Sequence, residues 1–397
     1  MSEAVVIGAG CIGRGFVAKL FADAGWHVTF LDIDAPLVEA LARDGSYVHV
    51  TVDKTQSVRT VVGPVSAVDN GRDPEAAVAA LVSADLAATA VGGARLAEIA
   101  PLIATGVAQR IALGRPPLNL LLCENLHGVA PAMRGFLAER AGLSAADLDA
   151  QLGLLETSID RTIPVVSAEI RAADRSIMIA DPYRPLPYDI AAVRGPGFDV
   201  PGIAGDASVP FAFYGERKLY LHNLGHAMTA YLGERAGIDL VCDAIAIPDV
   251  HRLVRRAMLE SSTALATAYT QPLQPLVDLV DDLLSRFADR TLPDPVARVG
   301  RDPARKTAPG DRLLGPYVSA VRQGLPSAHL SLAVAVGADA LRRHMGWSRD
   351  RIWLHFGRDL DDLAGAQREL LDAQIALLTQ GADLTAQGAL IEGYELR

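Results

Sequence analysis

"EAVVIGAGCIGRGFVAKLFADAGWHVTFLDID", residues 3–34, carries a β-branched run into three glycines and on into a second apolar run that ends on acids. Val5, Val6 and Ile7 read as a short buried strand, residues 16–24 as a helix-period segment, and residues 28–31 as a second strand closing at Asp32. Strand, glycine turn, helix and strand in that order form the unit that holds a dinucleotide. Gly8 permits the tight turn, Gly10 lets a pyrophosphate approach the backbone, and Gly13 lets helix and strand pack closely; Ala9, Cys11 and Ile12 complete the loop. The helix N-terminus then offers unsatisfied N–H groups and the positive end of its dipole to the anion. Asp32 lies about 20 residues past the glycines, where a carboxylate accepts from the ribose 2′-OH and repels a 2′-phosphate. NAD is therefore the expected cofactor rather than NADP, with Asp34 close enough to compete for the ribose.

The α/β alternation continues outward from this unit. Short apolar runs recur at 85–91 and 118–123 between alanine-rich helical stretches. The first leads to Gly92 and Gly93, at a strand's carboxyl end, where cofactors bind in open sheets. The second ends in Cys123-Glu124-Asn125, and Asn125 reads either as a turn residue or as an amide facing the cofactor. Past about residue 190 the strand signals fade. "VRGPGFDVPGIAGDASVP", residues 193–210, reads as an irregular connection, and from Glu216 the pattern is helical almost to the end. The expected fold is α/β: a Rossmann-type, doubly wound NAD-binding domain over 1–190, then an all-helical substrate and catalytic domain over 191–397. The substrate is expected in the crevice between them, because ligand sites favour domain junctions.

Composition narrows the function. The 397 residues suffice for two cores, and 50% hydrophobic with 21% charged residues is a globular balance. A net charge of -10 without a dense Lys/Arg stripe argues against nucleic acid and against a basic membrane-binding face. Cys11, Cys123 and Cys242 stand at no ligand-like spacing and read as reduced thiols. The first residues lack a basic n-region, and no uncharged apolar run reaches the roughly 18 residues a membrane span needs. A cytoplasmic protein with a small-molecule partner, and neither nucleic acid nor membrane, is expected.

"KLYLHNLGH", residues 218–226, supplies the chemistry. At about 100° per residue, Lys218, His222, Asn223 and His226 fall within an arc of roughly 140° on one helix. The i, i+4 histidine pair also suggests zinc, but no HExxH or cysteine cluster offers a third ligand, so no metal is expected. Alcohol–ketone chemistry without a metal needs a base for the hydroxyl proton and neutral donors for the developing alkoxide. A lysine serves as that base if burial lowers its pKa towards about 7–8. Asn223 and Asn125 would be the donors.

"GAGCIGRGF", "PLNLLLCEN", "SIDRTIP", "ERKLYLHNLGHAMTAYLG" and "RVGRDPARK", in this order over nearly the whole chain, resemble the polyol-specific long-chain dehydrogenase family. The resemblance implies metal-independent hydride transfer with NAD, often in a monomer, so a monomer or weak homo-oligomer is expected. It implies Lys218 as general acid/base, Asn125 and Asn223 holding the reacting oxygen, and His226 hydrogen-bonding the substrate and helping to position the lysine. Asp160 and Arg161 would support the site. Arg298, Arg301, Arg305 and Lys306 lie within nine residues of an otherwise acidic chain. They read as a solvated basic loop or as a local site for a sugar phosphate, and similarity to the phosphate-specific members favours the second. The expected reaction is the interconversion of D-mannitol 1-phosphate and D-fructose 6-phosphate, with an unphosphorylated polyol or a hexuronate as the alternative substrate. Three departures from the family carry that alternative: His127 after "CEN", Tyr183 with Arg184, and His222 where an apolar residue is expected.

Overall fold

The apolar runs of the N-terminal half form strands, of which those at 4–7, 86–89 and 118–122 are buried on both faces, as a parallel sheet covered by helices requires. They are β1 (Glu3–Ile7), β2 (His27–Asp32), an antiparallel pair β3 (Tyr47–Val52) and β4 (Ser57–Val62), then β5 (Val65–Asp69), β6 (Leu86–Thr89), β7 (Leu118–Leu122) and β8 (Leu152–Glu156). The computed structural model describes residues 1–126, 128–140, 144–161, 163, 166, 168–361 and 363–396. Six strands form one parallel sheet in the order β5-β2-β1-β6-β7-β8. Pairing runs outward from β1 to β2 on one side and to β6 on the other, so the order reverses there. A crevice opens at the carboxyl ends of such strands. Period-2 alternation divides β1 between two cores: Ala4 and Val6 pack with Phe16, Phe21 and Leu121, while Val5 and Ile7 pack with Leu31, Ile103 and Leu120.

The helix read at 16–24 starts earlier and in a wider winding than expected: a π-helical turn, Gly13–Val17, precedes an α-helix, Ala18–Asp23. β3 and β4 are joined by β9 (Met178–Ala180) in a second sheet of order β4-β3-β9. β10 (Leu186–Tyr188) pairs in parallel with β11 (Ile203–Gly205). The glycine- and proline-rich segment at 193–210 thus supplies a short strand rather than only a connection. The chain divides into compact units after Phe211, Met1–Phe211 and Ala212–Arg397, whereas the sequence placed the boundary after residue 190.

The second unit is helical, as expected. Its centre is the helix Ala328–Met345, buried on every face from Ala328 to Leu341. Small residues make this possible: a Cβ at Gly337 would lie 2.8 Å from Leu313. The helical pattern read from Glu216 onward is interrupted after Ile245, because Pro248 cannot continue a preceding helix and instead opens Pro248–Tyr269 from its first turn. Among the described residues no helix is long and apolar enough to cross a membrane.

Candidate active site

In the first unit, residues at the carboxyl ends of neighbouring strands are tied together. After β1, Gly8 takes φ +102°, and a Cβ there would lie 2.6 Å from the Ala90 carbonyl carbon, just past β6. A Cβ on Gly13 would overlap the Gly8 carbonyl oxygen. At Gly10, by contrast, the nearest atom to a Cβ is the Ala90 oxygen at 3.9 Å, and the residue is exposed. Two glycines are therefore demanded by the protein's own backbone, while the middle one leaves open space.

Asp32, closing β2, accepts from the Ala9 N–H through Oδ2 (2.6 Å) and from Ile33 and Asp34 N–H through Oδ1 (2.7 and 2.9 Å). Asp34 is otherwise engaged: it caps the helix Ala35–Asp44 and pairs with Arg175 at 2.9 Å. Below the loop, the buried Arg14 donates Nε–H to the Ala9 carbonyl (2.6 Å) and Nη1–H to the Ser176 carbonyl. Cys11 and Ile12 are half-buried at the start of this turn.

Glu124 was not singled out in the sequence. Buried just past β7, its carboxylate accepts from Val91 N–H (3.0 Å) and Gly92 N–H (2.8 Å), joining the β6 and β7 loops. Burial raises its pKa, and the two backbone donors partly offset that rise. Gly92 takes φ +89° with no atom within 4 Å of a Cβ, and Asn125 is exposed directly after Glu124. Asp160 and Arg161 are both buried. Arg161 donates Nε–H to the Asp181 carbonyl (2.9 Å) and lies over the Phe16 ring. Arg184 pairs with Asp23 at 3.0 Å, and His127 lies outside the described residues.

In the second unit the winding differs from the α-helix assumed for "KLYLHNLGH". Lys218–Asn223 is a π-helical turn, followed by the α-helix Leu224–Arg235. In i→i+5 winding, residues five apart stand about one turn from each other, so Lys218 and Asn223 share a face more closely than the α-period allows. Leu219, Tyr220, Leu221 and Leu224 are buried, while Lys218, His222, Asn223 and His226 are half-buried. A π-turn disturbs the regular ladder, and here Ser261 Oγ–H donates to the Tyr220 carbonyl at 2.7 Å.

The His226 ring stacks on Phe287 (5.1 Å, 10°), and its Nε2 lies 3.2 Å from Asp294 Oδ2. Arg298 holds the same carboxylate with two N–H groups, Nε to Oδ1 at 2.7 Å and Nη2 to Oδ2. Burial works against the Asp294 charge, but the hydrogen bonds from His226 and Arg298 prevail and keep its carboxyl below the usual range. The other basic residues each have a partner within their own segment. Arg305 pairs with Asp302 at 2.9 Å; Lys306 is buried against the Arg301 carbonyl; Arg301 donates Nε–H to the Arg298 carbonyl (3.1 Å). Desolvation, with Arg312 and Arg305 nearby, pushes the Lys306 pKa down to about 8. Among the described residues, the group of His and carboxylates close enough for a metal is Glu260, His329 and Glu395, without either histidine of the 218–226 stretch. Glu260 there accepts from the N–H groups of His329 and Leu330 and so closes the start of the Ala328–Met345 helix.

Residues 2–189 match the family model described as the mannitol dehydrogenase Rossmann domain, and residues 211–343 match the mannitol dehydrogenase C-terminal domain. The chain is similar to the mannitol-1-phosphate 5-dehydrogenase of Brevibacillus brevis, with 34% identity over 334 residues, 84% of each chain. Two solved structures share the fold. The substrate-free D-sorbitol dehydrogenase superposes with a TM-score of 0.80 at 16% identity, covering 97% of this chain and 94% of that one. The mannitol 2-dehydrogenase of Pseudomonas fluorescens, a ternary complex with NAD and D-mannitol, gives 0.70 at 17% identity, covering 100% and 94%.

Proposed function

The chain belongs to the mannitol dehydrogenase family, and from that premise we propose that this NAD-binding oxidoreductase interconverts D-mannitol 1-phosphate and D-fructose 6-phosphate. The observation that carries the phosphorylated substrate is the 34% identity to the Brevibacillus brevis enzyme over 84% of both chains. The glycine loop fits the cofactor, because the open Cβ position at Gly10 leaves the approach a pyrophosphate needs. Ala9, Gly10, Cys11 and Ile12 would line the pyrophosphate, Asp32 the ribose, and Gly92 with Asn125 the nicotinamide half. When bound, NAD supplies the hydride acceptor or donor.

The chain's own residues then handle the proton and the oxygen. Lys218 takes the hydroxyl proton in oxidation and returns it in reduction. Asn223, one π-turn away, and Asn125 donate amide N–H groups to the reacting oxygen, where neutral donors stabilise developing negative charge. His226 hydrogen-bonds a substrate hydroxyl beside them. Asp160 and Arg161 hold the segment after β8 in place. For the phosphate, Arg301 is the direct ligand: among the described residues it has no carboxylate partner. Arg305 joins it, since its exposed pair with Asp302 is a surface ion pair of about 0–1 kcal/mol. Arg298 and Lys306 shape the loop from within.

A second reading, a free polyol or a hexuronate, draws support from the prior engagement of Arg298 and Arg305 by Asp294 and Asp302. NADH oxidation with fructose 6-phosphate, fructose and a hexuronate in parallel separates the two. Preference for the phosphorylated ketose upholds the proposal, and preference for either other substrate overturns it while keeping the chemistry. Lys218→Ala should abolish turnover with NADH affinity within about twofold of wild type; loss of both would make Lys218 structural.

A further inference from the structure

Asp294 comes from a segment far from the 218–226 motif, and its backbone is fixed on both sides. Its carbonyl accepts from Val241 N–H (2.9 Å), Val296 N–H donates to the Asp239 carbonyl (2.8 Å), and Leu240 and Pro295 form an antiparallel bridge. The carboxylate therefore meets His226 from a rigid support. The imidazole is equally constrained, by the Leu224–Arg235 helix that carries it and by the Phe287 ring parallel to it.

We propose that Asp294 is a positioning residue for the reaction. Resting on the role given to His226 above, it accepts the Nε2–H of that imidazole and fixes the tautomer, so that Nδ1 keeps its lone pair for a substrate hydroxyl. A histidine's free nitrogen is defined by the bond the other nitrogen makes, and a carboxylate that only orients an imidazole can still govern the rate. Arg298 completes the arrangement. Its two N–H groups occupy both Asp294 oxygens, which keeps the carboxylate ionised and leaves Oδ2 directed at His226. Arg298 thus acts through Asp294 and not on the substrate's phosphate. The groups placed around the ring are Asp294, Arg298 and His222, whose ring centroid is 5.9 Å away.

The test is a double-mutant cycle on the full-length enzyme. Asp294→Asn should lower kcat/KM for the ketose or polyol by at least about tenfold, and that effect should vanish in a His226→Ala background, because residues acting as a unit are not additive. NADH affinity should stay within about twofold. An equal loss in both backgrounds would mean that Asp294 supports the fold alone, and the proposal would fall. A second measurement does not depend on turnover: ¹⁵N NMR of labelled histidine, with His226 identified by His226→Gln. The wild type should show the proton on Nε2 and Asp294→Asn should not. A wild type protonated on Nδ1 overturns the proposal even if the enzyme is active. An enzyme inactive on every polyol, with the Nε2 proton present, overturns the proposed function instead.

Discussion

Alanine at Gly10 and alanine at Gly13 should have opposite consequences, although the two glycines belong to one motif. A Cβ on Gly13 overlaps the Gly8 carbonyl oxygen and lies 3.1 Å from its carbon, against about 3.5–4.0 Å for relaxed contact. The obstacle is backbone, so no rotamer relieves it, and β1 and the first helical turn must part. Overpacking of this kind costs about 1–3 kcal/mol or more. At about 2–4 °C per kcal/mol for a unit of this size, a loss of about 3 kcal/mol lowers the melting temperature by roughly 6–12 °C. At Gly10 the same methyl has 3.9 Å to its nearest neighbour, and the residue is not among those with positive φ. Folding should be unharmed or stabilised by about 0.4–1 kcal/mol through the unfolded chain. The methyl instead fills the pyrophosphate's approach, and NADH affinity should fall at least about 100-fold, some 2.7 kcal/mol. Calorimetry of the free protein and fluorescence titration with NADH read the two effects separately. Wild-type NADH affinity in Gly10→Ala, or a wild-type melting temperature in Gly13→Ala, would refute the reasoning.

Asp32→Asn should raise NADP turnover relative to NAD by removing the charge proposed to face the ribose 2′-position, whereas Asp34→Ala should leave the ratio unchanged and cost about 1 kcal/mol as a lost helix cap; initial rates with both cofactors check this. Glu124→Gln turns an NH₂ group on the Val91 or Gly92 N–H, and an unsatisfied buried donor costs about 1–3 kcal/mol. NADH affinity should fall about tenfold, measured by titration, and an unchanged value would mean that the β6 loop keeps its shape unaided. Burial lowers the Lys306 pKa to about 8, while in the unfolded chain the group keeps its proton up to its ordinary 10.5. Between those values the unfolded state binds more protons, so Lys306 makes stability rise with pH. Lys306→Met should flatten that rise, as read from urea midpoints across the window.

What the sequence made legible is what rests on local pattern. The β-branched run, the glycine spacing and the acid at the end of β2 each follow from constraints within a few residues, and the order of strands and helices follows from hydrophobic period. The Glu124 clamp depends on a contact 32 and 33 positions away along the chain, and Asp294 on a bridge to residues 239–241. Neither leaves a periodic trace. β3 and β4 were missed because their alternating residues form an excursion between β2 and β5, where the simple alternation expects helix then strand. The π-turn was invisible for another reason: apolar spacing reports which residues face inward, not how the backbone hydrogen bonds count.

That winding is the constrained quantity between Lys218 and Asn223. Each residue of an α-helix turns the chain by about 100°. Five such steps would leave the lysine and the asparagine roughly 140° apart, whereas deleting one residue leaves four steps, about 400°, and returns the pair to one face in regular α register. Substitutions at Leu219 or Leu221 ask whether the new side chain packs, but a change that restores α winding over all five steps parts the two side chains without replacing either. Functional versions of this chain should therefore keep five steps with the π-turn, or four steps without it.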